Sequence, residues 1–290
     1  MHVRNLVMKI IVDDNIVSDY LPVVSWNDRG LLWADGLFET IKSENGRLLF
    51  FEAHYKRFFE STIKLFIPFK VPLEALKKKC YQIIEINKLD GDIAIKVILT
   101  RGQLEQGKGL GVPKKAFPKL IITATSYHRP ATQPTVYITT IKRNEYSMLT
   151  QIKTLNYLES ILARQQAVSH GYDEGIMLNT KGAVTETSIG NIFMIINRKV
   201  LTPKRTDGIL PGIMRQIIFN AVQEEGGSII EKTLYPKDLF SATEIFQTNS
   251  LLEVQSFSKI NKYPLLTGKQ AILTKQILKQ YRSYKIKNLN

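Results

Sequence analysis

The chain has 290 residues, 44% of them hydrophobic and 23% charged, with a single cysteine, Cys80. This length fits one large domain or two ordinary ones, the composition is that of a soluble globular protein, and one cysteine excludes an internal disulfide framework and fits a reducing compartment. A formal net charge of +14 could serve nucleic acid or small anions, but the lysines are scattered and form neither zinc-finger spacing nor an RNA-binding aromatic motif. A solvated surface, or a positive field for a small anionic substrate, is the expectation. No stretch approaches about 18 uninterrupted apolar residues and the first 25 residues hold no sustained apolar run, so neither a membrane span nor a signal peptide is expected. A cytoplasmic protein follows as the expectation, with translation starting at Met1 or Met8.

Residues 8–12 and 47–51 read as strands, the second next to the Asn45-Gly46 turn signal. His54 to Leu65 places Tyr55, Phe58, Phe59, Thr62 and Ile63 at helical spacing, and Pro72 to Asn87 places Leu73, Leu76, Cys80, Ile83 and Ile84 on one helix face. Ile93–Thr100 and Lys119–Thr125 are β-rich and expected to pair. Pro130 and Pro134 mark 127–134 as a connection between a first domain, 1–126, and a second, 135–290. The second domain begins with a strand at Thr135–Lys142, a helix at Leu155–His170 and a strand at Glu174–Asn179. Strands near 183–187 and 191–196 follow a Lys181-Gly182 turn. A helix from Pro211 to Glu225, a short strand at Glu244–Gln247 and a basic terminal helix from Gly268 to Tyr284 complete a mixed α and β order.

Two segments carry chemistry. Lys153 heads Lys153-Thr154-Leu155-Asn156-Tyr157-Leu158, before a helix whose Leu155, Leu158, Ile161 and Leu162 are expected to face the core and draw the ammonium inward. Partial burial beside other cations favours a neutral, nucleophilic lysine amine. Glu186 lies in Val184-Thr185-Glu186-Thr187-Ser188, with Asn191-Ile192-Phe193 just beyond. A lysine entering a helix and an inward glutamate on a later strand are what a pyridoxal phosphate enzyme requires. The amine forms a Schiff base with the cofactor aldehyde, and the acid keeps the pyridine nitrogen protonated. The segment Gly102-Gln103-Leu104-Glu105-Gln106-Gly107-Lys108-Gly109 nearly spells a phosphate loop. It lacks the Ser/Thr that would hold magnesium, and Gly111-Val112-Pro113 blocks an immediate helix, so it reads as a loop beside the site. His54, His128 and His170 show no metal-ligand spacing, and no metal is expected.

From about residue 28 to 257 these motifs resemble, in order, the class IV aminotransferases (fold-type IV pyridoxal phosphate enzymes). That family contains branched-chain and D-amino acid aminotransferases and 4-amino-4-deoxychorismate lyase. The resemblance implies a two-domain α/β fold with pyridoxal 5'-phosphate in the interdomain cleft, and a homodimer whose sites borrow a loop from the neighbouring subunit. It implies that Lys153 is the Schiff-base lysine, that Glu186 partners the pyridine nitrogen, and that Arg57 of His54-Tyr55-Lys56-Arg57-Phe58 is the phosphate cation. Leu210-Pro211-Gly212-Ile213-Met214-Arg215 matches the phosphate-cradling helix start, with the amides of Ile213 and Met214 directed at the phosphate; many of these aminotransferases have threonine where Met214 stands. Asn249 and Ser250 complete the implied cofactor set. Tyr157 stays open between a hydrogen bond to the cofactor's phenolic oxygen and a core position.

Within the family, three features resemble the lyases: Lys96 preceding Arg101 by five residues, Met214, and Thr248-Asn249-Ser250-Leu251-Leu252. Branched-chain aminotransferases typically carry arginine at the Lys96 position, and D-amino acid aminotransferases tyrosine. Glu253-Val254-Gln255-Ser256-Phe257 departs from the proline-valine usual in both groups, and Phe38-Glu39-Thr40 is shared by all. The expectation is an aminodeoxychorismate lyase releasing pyruvate and 4-aminobenzoate for folate biosynthesis, with Lys96 and Arg101 binding substrate carboxylates and Phe38 at the site. The alternative is an aminotransferase for branched-chain or D-amino acids with 2-oxoglutarate. Arg101 would then hold the α-carboxylate, and Phe38, Leu110 or Leu251 would shape the pocket. Neither nucleic acid nor a membrane is an expected partner.

Overall fold

The computed structural model describes residues 8–103, 109–111 and 116–288. They group into two units, Met1–His128 with Lys153–Asn156, and Arg129–Ile152 with Tyr157–Asn290. The middle of the near-phosphate-loop segment, 104–108, and Val112-Pro113 lie outside the described residues.

In the first unit the elements are β1 (Lys9–Val12), β2 (Asn15–Ser18), α1 (Arg29–Trp33), β3 (Gly36–Glu44), β4 (Arg47–Leu48), α2 (Phe51–Lys64), α3 (Leu73–Ile86), β5 (Ile93–Thr100) and β6 (Lys119–Ser126). The strands form an antiparallel sheet in the order β2-β1-β6-β5-β3-β4. Alternation divides its faces. Leu37, Ile41, Ile95, Val97, Leu99 and Ile122 join a core that α2 supplies with Phe51 and Phe58 and α3 with Leu76, Cys80 and Ile83. Phe38, Thr40, Lys96 and Ile98 alternate with these and take the other face. Burial pushes the Cys80 thiol up to about 12, which leaves it an unreactive core residue. The apolar run at 47–51 gives only two strand residues. Phe50 turns left-handed at φ 52°, and Phe51 already begins α2.

Lys153–Asn156, placed by the sequence with the second domain, belongs to the first unit because its backbone extends β3. Phe38 N–H donates to the Lys153 carbonyl at 2.9 Å and Leu155 N–H to the Gly36 carbonyl at 3.0 Å, while Leu37 and Thr154 form an antiparallel bridge. Lys153 therefore enters the site from a short extended segment, and the helix begins only at Leu158.

The second unit comprises β7 (Thr135–Arg143), α4 (Leu158–Ser169), β8 (Glu174–Asn179), β9 (Val184–Thr187), β10 (Asn191–Ile196), β11 (Lys199–Thr202), α5 (Ile213–Glu224), β12 (Ile229–Glu231), α6 (Pro236–Ser241), β13 (Glu244–Asn249), β14 (Glu253–Ser256), β15 (Lys259–Ile260), β16 (Tyr263–Pro264) and α7 (Ile272–Asn288). The sheet runs β12-β11-β10-β9-β8-β7-β15-β16, and β13 pairs with both β10 and β14. One core gathers Val136, Ile176, Ile192, Met194, Ile245 and Phe257. On the other face of β10 and β13, Phe193 and Phe246 stack at 4.9 Å and Phe219 of α5 packs on Phe193. Each fully buried phenylalanine contributes about 1.5–3 kcal/mol.

α4 overturns one expectation. Leu158, Ile161 and Leu162 are exposed, at 65%, 48% and 42%, and the face turned inward is Ser160, Ala163 and Ala167. The reason is close packing: a Cβ at Gly175 of β8 would stand 2.6 Å from the Ala163 carbonyl oxygen, so only small side chains fit beneath the helix. Its large apolar residues are left outward.

α7 is pinned by two buried acids. Glu244 accepts from the amides of Leu273 and Thr274 at 3.2 and 2.8 Å, and Glu253 accepts from Tyr281 Oη at 2.9 Å and Lys285 Nζ at 3.1 Å. Glu244→Ala, which leaves the buried Thr274 amide without its acceptor, is expected to lower unfolding free energy by about 1–3 kcal/mol. Glu224→Ala removes an exposed pair with Lys287 and is expected to change it by less than about 1 kcal/mol; urea denaturation of both variants checks the contrast.

Candidate active site

In the first unit the extended segment and the open face of the sheet bring Lys153, Phe38 and Lys96 together. Lys153 is half-buried, and its Nζ lies 4.4 Å from the centre of the Phe38 ring. Lys96 Nζ lies 5.6 Å from the same ring. The β3–β5 register, with Phe38 opposite Ile98 and Thr40 opposite Lys96, puts Lys96 diagonally beside Phe38 on one face. Two ammonium groups thus share one aromatic surface.

Arg57 projects from α2, with its side chain 12% exposed, and is gripped by Glu39 of β3. Nε donates to Oε1 at 2.6 Å and Nη2 to Oε2 at 2.8 Å, and His54 Nδ1 lies 2.8 Å from Oε2. The sequence singled out Arg57; Glu39 and His54 were missed as its partners. The signal available was the three-residue spacing of His54 and Arg57, which puts both on one helix face.

Arg101, expected to bind a substrate carboxylate, is engaged within its own unit. It is 8% exposed and its donors are turned inward: Nε and Nη2 bind the Asp35 carboxylate at 2.7 and 3.0 Å, Nη1 donates to the Phe66 carbonyl and Nη2 to that of Leu65, both at 2.7 Å. Asp35 also takes Nε of Arg29 at 2.7 Å. A guanidinium so engaged has a local structural task, and the expected grip on a substrate carboxylate does not follow from its placement.

In the second unit every polar side chain of Thr185-Glu186-Thr187-Ser188 has a buried partner. Thr185 donates to the Met177 carbonyl at 2.8 Å and Thr187 to Gln247 Oε1 at 2.7 Å. Ser188 donates through both its hydroxyl and its amide to Glu174. Burial pushes the Glu174 pKa above the ordinary carboxylate value, against the pull of Ser188, Gly175 and Arg164. Glu186, 5% exposed, ion-pairs through Oε1 with Arg143 Nη1 at 2.9 Å. Its Oε2 accepts from Asn191 Nδ2 at 2.9 Å and from the Leu210 amide at 3.1 Å. Arg143, at the end of β7, is a site residue that no sequence motif marked.

These bonds fasten Glu186 to the start of α5. Asn191 Nδ2 also donates to the Leu210 carbonyl at 2.9 Å, and a Cβ at Gly212 would stand 2.0 Å from Asn191 Oδ1. Only glycine lets the helix begin there. No side chain caps α5, so the first-turn amides of Ile213 and Met214 are oriented for an anion, and Met214 itself is buried. Across β9, β10 and β13 the register aligns Glu186 with Asn191 and Asn191 with Thr248. Thr248 Oγ1 is buried with no hydrogen-bond partner among the described residues.

Ser250, half-buried, sits in the turn after β13. Asn249, expected as a cofactor contact, is bonded within the turn: Oδ1 accepts from the amides of Leu251 and Leu252 at 3.0 and 2.7 Å, and Nδ2 donates to the Ile189 carbonyl at 3.2 Å. It shapes the turn that carries Ser250. Tyr157 is half-buried at the entry to α4, lining an apolar pocket with Ile161, Arg164, Val168, Ser188 and Ile189. Among the described residues no three His, Cys, Asp or Glu side chains are grouped to hold a metal ion, and no helix is long and apolar enough to cross a membrane.

The chain matches the family described as amino-transferase class IV over residues 36–260. It is 29% identical over 283 residues to a protein of Methanocaldococcus jannaschii provisionally named branched-chain-amino-acid aminotransferase, covering 97% of each chain. It is 27% identical to the D-alanine aminotransferase of Staphylococcus aureus strain N315, covering 95% of this chain and 97% of that one. Among solved structures, one from Legionella pneumophila provisionally called 4-amino-4-deoxychorismate lyase superposes with a TM-score of 0.81 at 29% identity, over 91% of this chain and 97% of that one. Class IV aminotransferases are pyridoxal phosphate enzymes, and the uncapped helix start, the glycine cradle at Gly212 and the buried acid Glu186 fit that cofactor. With the family model matched over residues 36–260 and a mixed α/β fold in agreement, the chain belongs to the class IV aminotransferase family of pyridoxal phosphate enzymes.

Proposed function

We propose that this enzyme is a 4-amino-4-deoxychorismate lyase. One observation carries the reading: Lys96 is an exposed cation on the same aromatic surface as Lys153, whereas Arg101, on which an aminotransferase would rely for an α-carboxylate, is tied to Asp35. Lys153, Arg57, Glu186, Ile213, Met214 and Ser250 are the residues that would hold the cofactor. Bound pyridoxal phosphate supplies an aldehyde that takes up the substrate amine and a ring that accepts electrons when a proton leaves. Lys153 Nζ removes the proton from the amine-bearing carbon. Glu186, anchored by Arg143 and Asn191, holds the proton on the ring nitrogen, and Lys96 Nζ receives a substrate carboxylate. The enolpyruvyl group leaves as pyruvate, and the remaining ring becomes aromatic 4-aminobenzoate. Aromatisation makes that step downhill, so orientation is the protein's main task.

A second reading, an aminotransferase for branched-chain or D-amino acids, is favoured by relatives of those names that align along nearly the whole chain. The same Lys153 would return the proton to the cofactor carbon instead. The partner we propose is a second copy of this chain. Leu158, Ile161, Leu162 and Val168 form an outward apolar stripe on α4, continued by Ile189. A stripe of this kind is what a helix buried between subunits presents.

With cofactor-loaded protein, aminodeoxychorismate made in situ is expected to give 4-aminobenzoate and pyruvate in equal amounts, and Lys153→Ala to give neither. No product, together with conversion of bound cofactor to its pyridoxamine form by an amino acid, would sink the lyase reading. Lys96→Met is expected to raise KM about 10-fold or more, the loss of one charged hydrogen bond, with cofactor content unchanged; steady-state kinetics decide it. Ile161→Glu with Leu162→Glu is expected to turn a dimer into a monomer in analytical ultracentrifugation, and an unchanged mass would remove α4 from the interface.

A further inference from the structure

Glu39 lies at 2% exposure on the face of β3 that Leu37 and Ile41 give to the apolar core. An unpaired carboxylate in such surroundings is strongly disfavoured, so its neighbours must compensate it. Arg57 does so with two parallel hydrogen bonds, and His54 adds a third contact. Burial alone would raise the Glu39 pKa; Arg57 and His54 outweigh it and hold the carboxyl well below the usual carboxylate range. Glu39 is then acceptor only, which makes His54 Nδ1 the donor. Burial first, with Arg57 and Lys153, depresses the His54 pKa against the pull of Glu39, so the imidazole is neutral.

We propose that Glu39, braced by His54, is a positioning residue for cofactor phosphate. It grips Arg57 through both Nε and Nη2, which fixes the plane and orientation of the guanidinium. This rests on the reading of Arg57 as the phosphate cation. An arginine on a flexible stem loses rotamer freedom when it binds, and an arginine already clamped loses less. The sign of the effect separates this from simple electrostatics. Removing a negative charge beside Arg57 should tighten phosphate binding if charge dominates, and weaken it if orientation does.

The test compares pyridoxal 5'-phosphate with pyridoxal, which lacks the phosphate, as ligands of the cofactor-free protein, using absorbance titrations at neutral pH. Arg57→Ala is the reference and is expected to erase most of the preference for the phosphorylated ligand. Glu39→Gln is expected to cut the ratio of the two affinities about 10-fold or more, with pyridoxal binding within about 2-fold of the parent. Glu39→Asp keeps the charge but retracts the carboxylate by one methylene, and is expected to cut the ratio less; it serves if Glu39→Gln does not fold. A ratio kept or raised by these Glu39 variants, or equal weakening of both ligands, overturns the proposal while Arg57→Ala still loses the preference. A ratio unaffected by Arg57→Ala removes the reading of Arg57 and the proposal with it.

Discussion

The backbone pairing of Gly36–Phe38 with Lys153–Leu155 is the constraint on which the first half of the site depends. It uses main-chain groups, so it sets the path of the lysine segment regardless of most side chains along it. Once Lys153 lies beside β3, its ammonium stands over the ring of Phe38. The β3–β5 register then determines that Lys96 shares that ring. On the opposite face of the same strand, Glu39 turns inward to Arg57. One strand thus carries the surface for the two lysines outward and the anchor of an arginine inward, by alternation alone.

The second unit solves a different problem, holding several polar groups away from water. Glu186, Glu174, Asn191 and Gln247 are all buried, and an unsatisfied group there would cost about 1–3 kcal/mol each. The partners are local and redundant: Asn191 bonds both the Glu186 carboxylate and the chain just before α5, and Glu174 holds the end of β9 through Ser188. Such networks are stiff because each member fixes the next. The chemistry inherits that stiffness, since the acid and the uncapped helix start are joined through Asn191 and Leu210. α7 backs the arrangement, clamped by Glu244 and Glu253 at either end of the β13–β14 hairpin.

Where sequence reading failed, burial of polar residues or close backbone packing was the cause. β3 shows no plain apolar alternation because Glu39, Lys42 and Ser43 are buried in it. α4 has an amphipathic pattern whose apolar side points outward, since Gly175 admits only small residues beneath the helix. Arg101 and Asn249 were assigned to ligands by family resemblance, which carries no information on the partners each also has within its own unit. Arg143 went unnoticed because its partner is 43 positions away in the chain and meets it only across the sheet.

The sequence by itself determined what could be read from local order. The strands at 93–100, 119–126, 174–179 and 191–196 and the helices at 73–86 and 213–224 follow from periodicity, turn residues and spacing, and the motifs around Lys153, Glu186 and Gly212 from their resemblance to a known family. These signals are short-range, set by backbone propensity and by which face a side chain takes. Only the tertiary structure decided which charges neutralise one another: Glu39 with Arg57, Asp35 with Arg29 and Arg101, Glu186 with Arg143. An ion pair depends on distance in space and on exclusion of water, and neither is written in the order of residues along the chain.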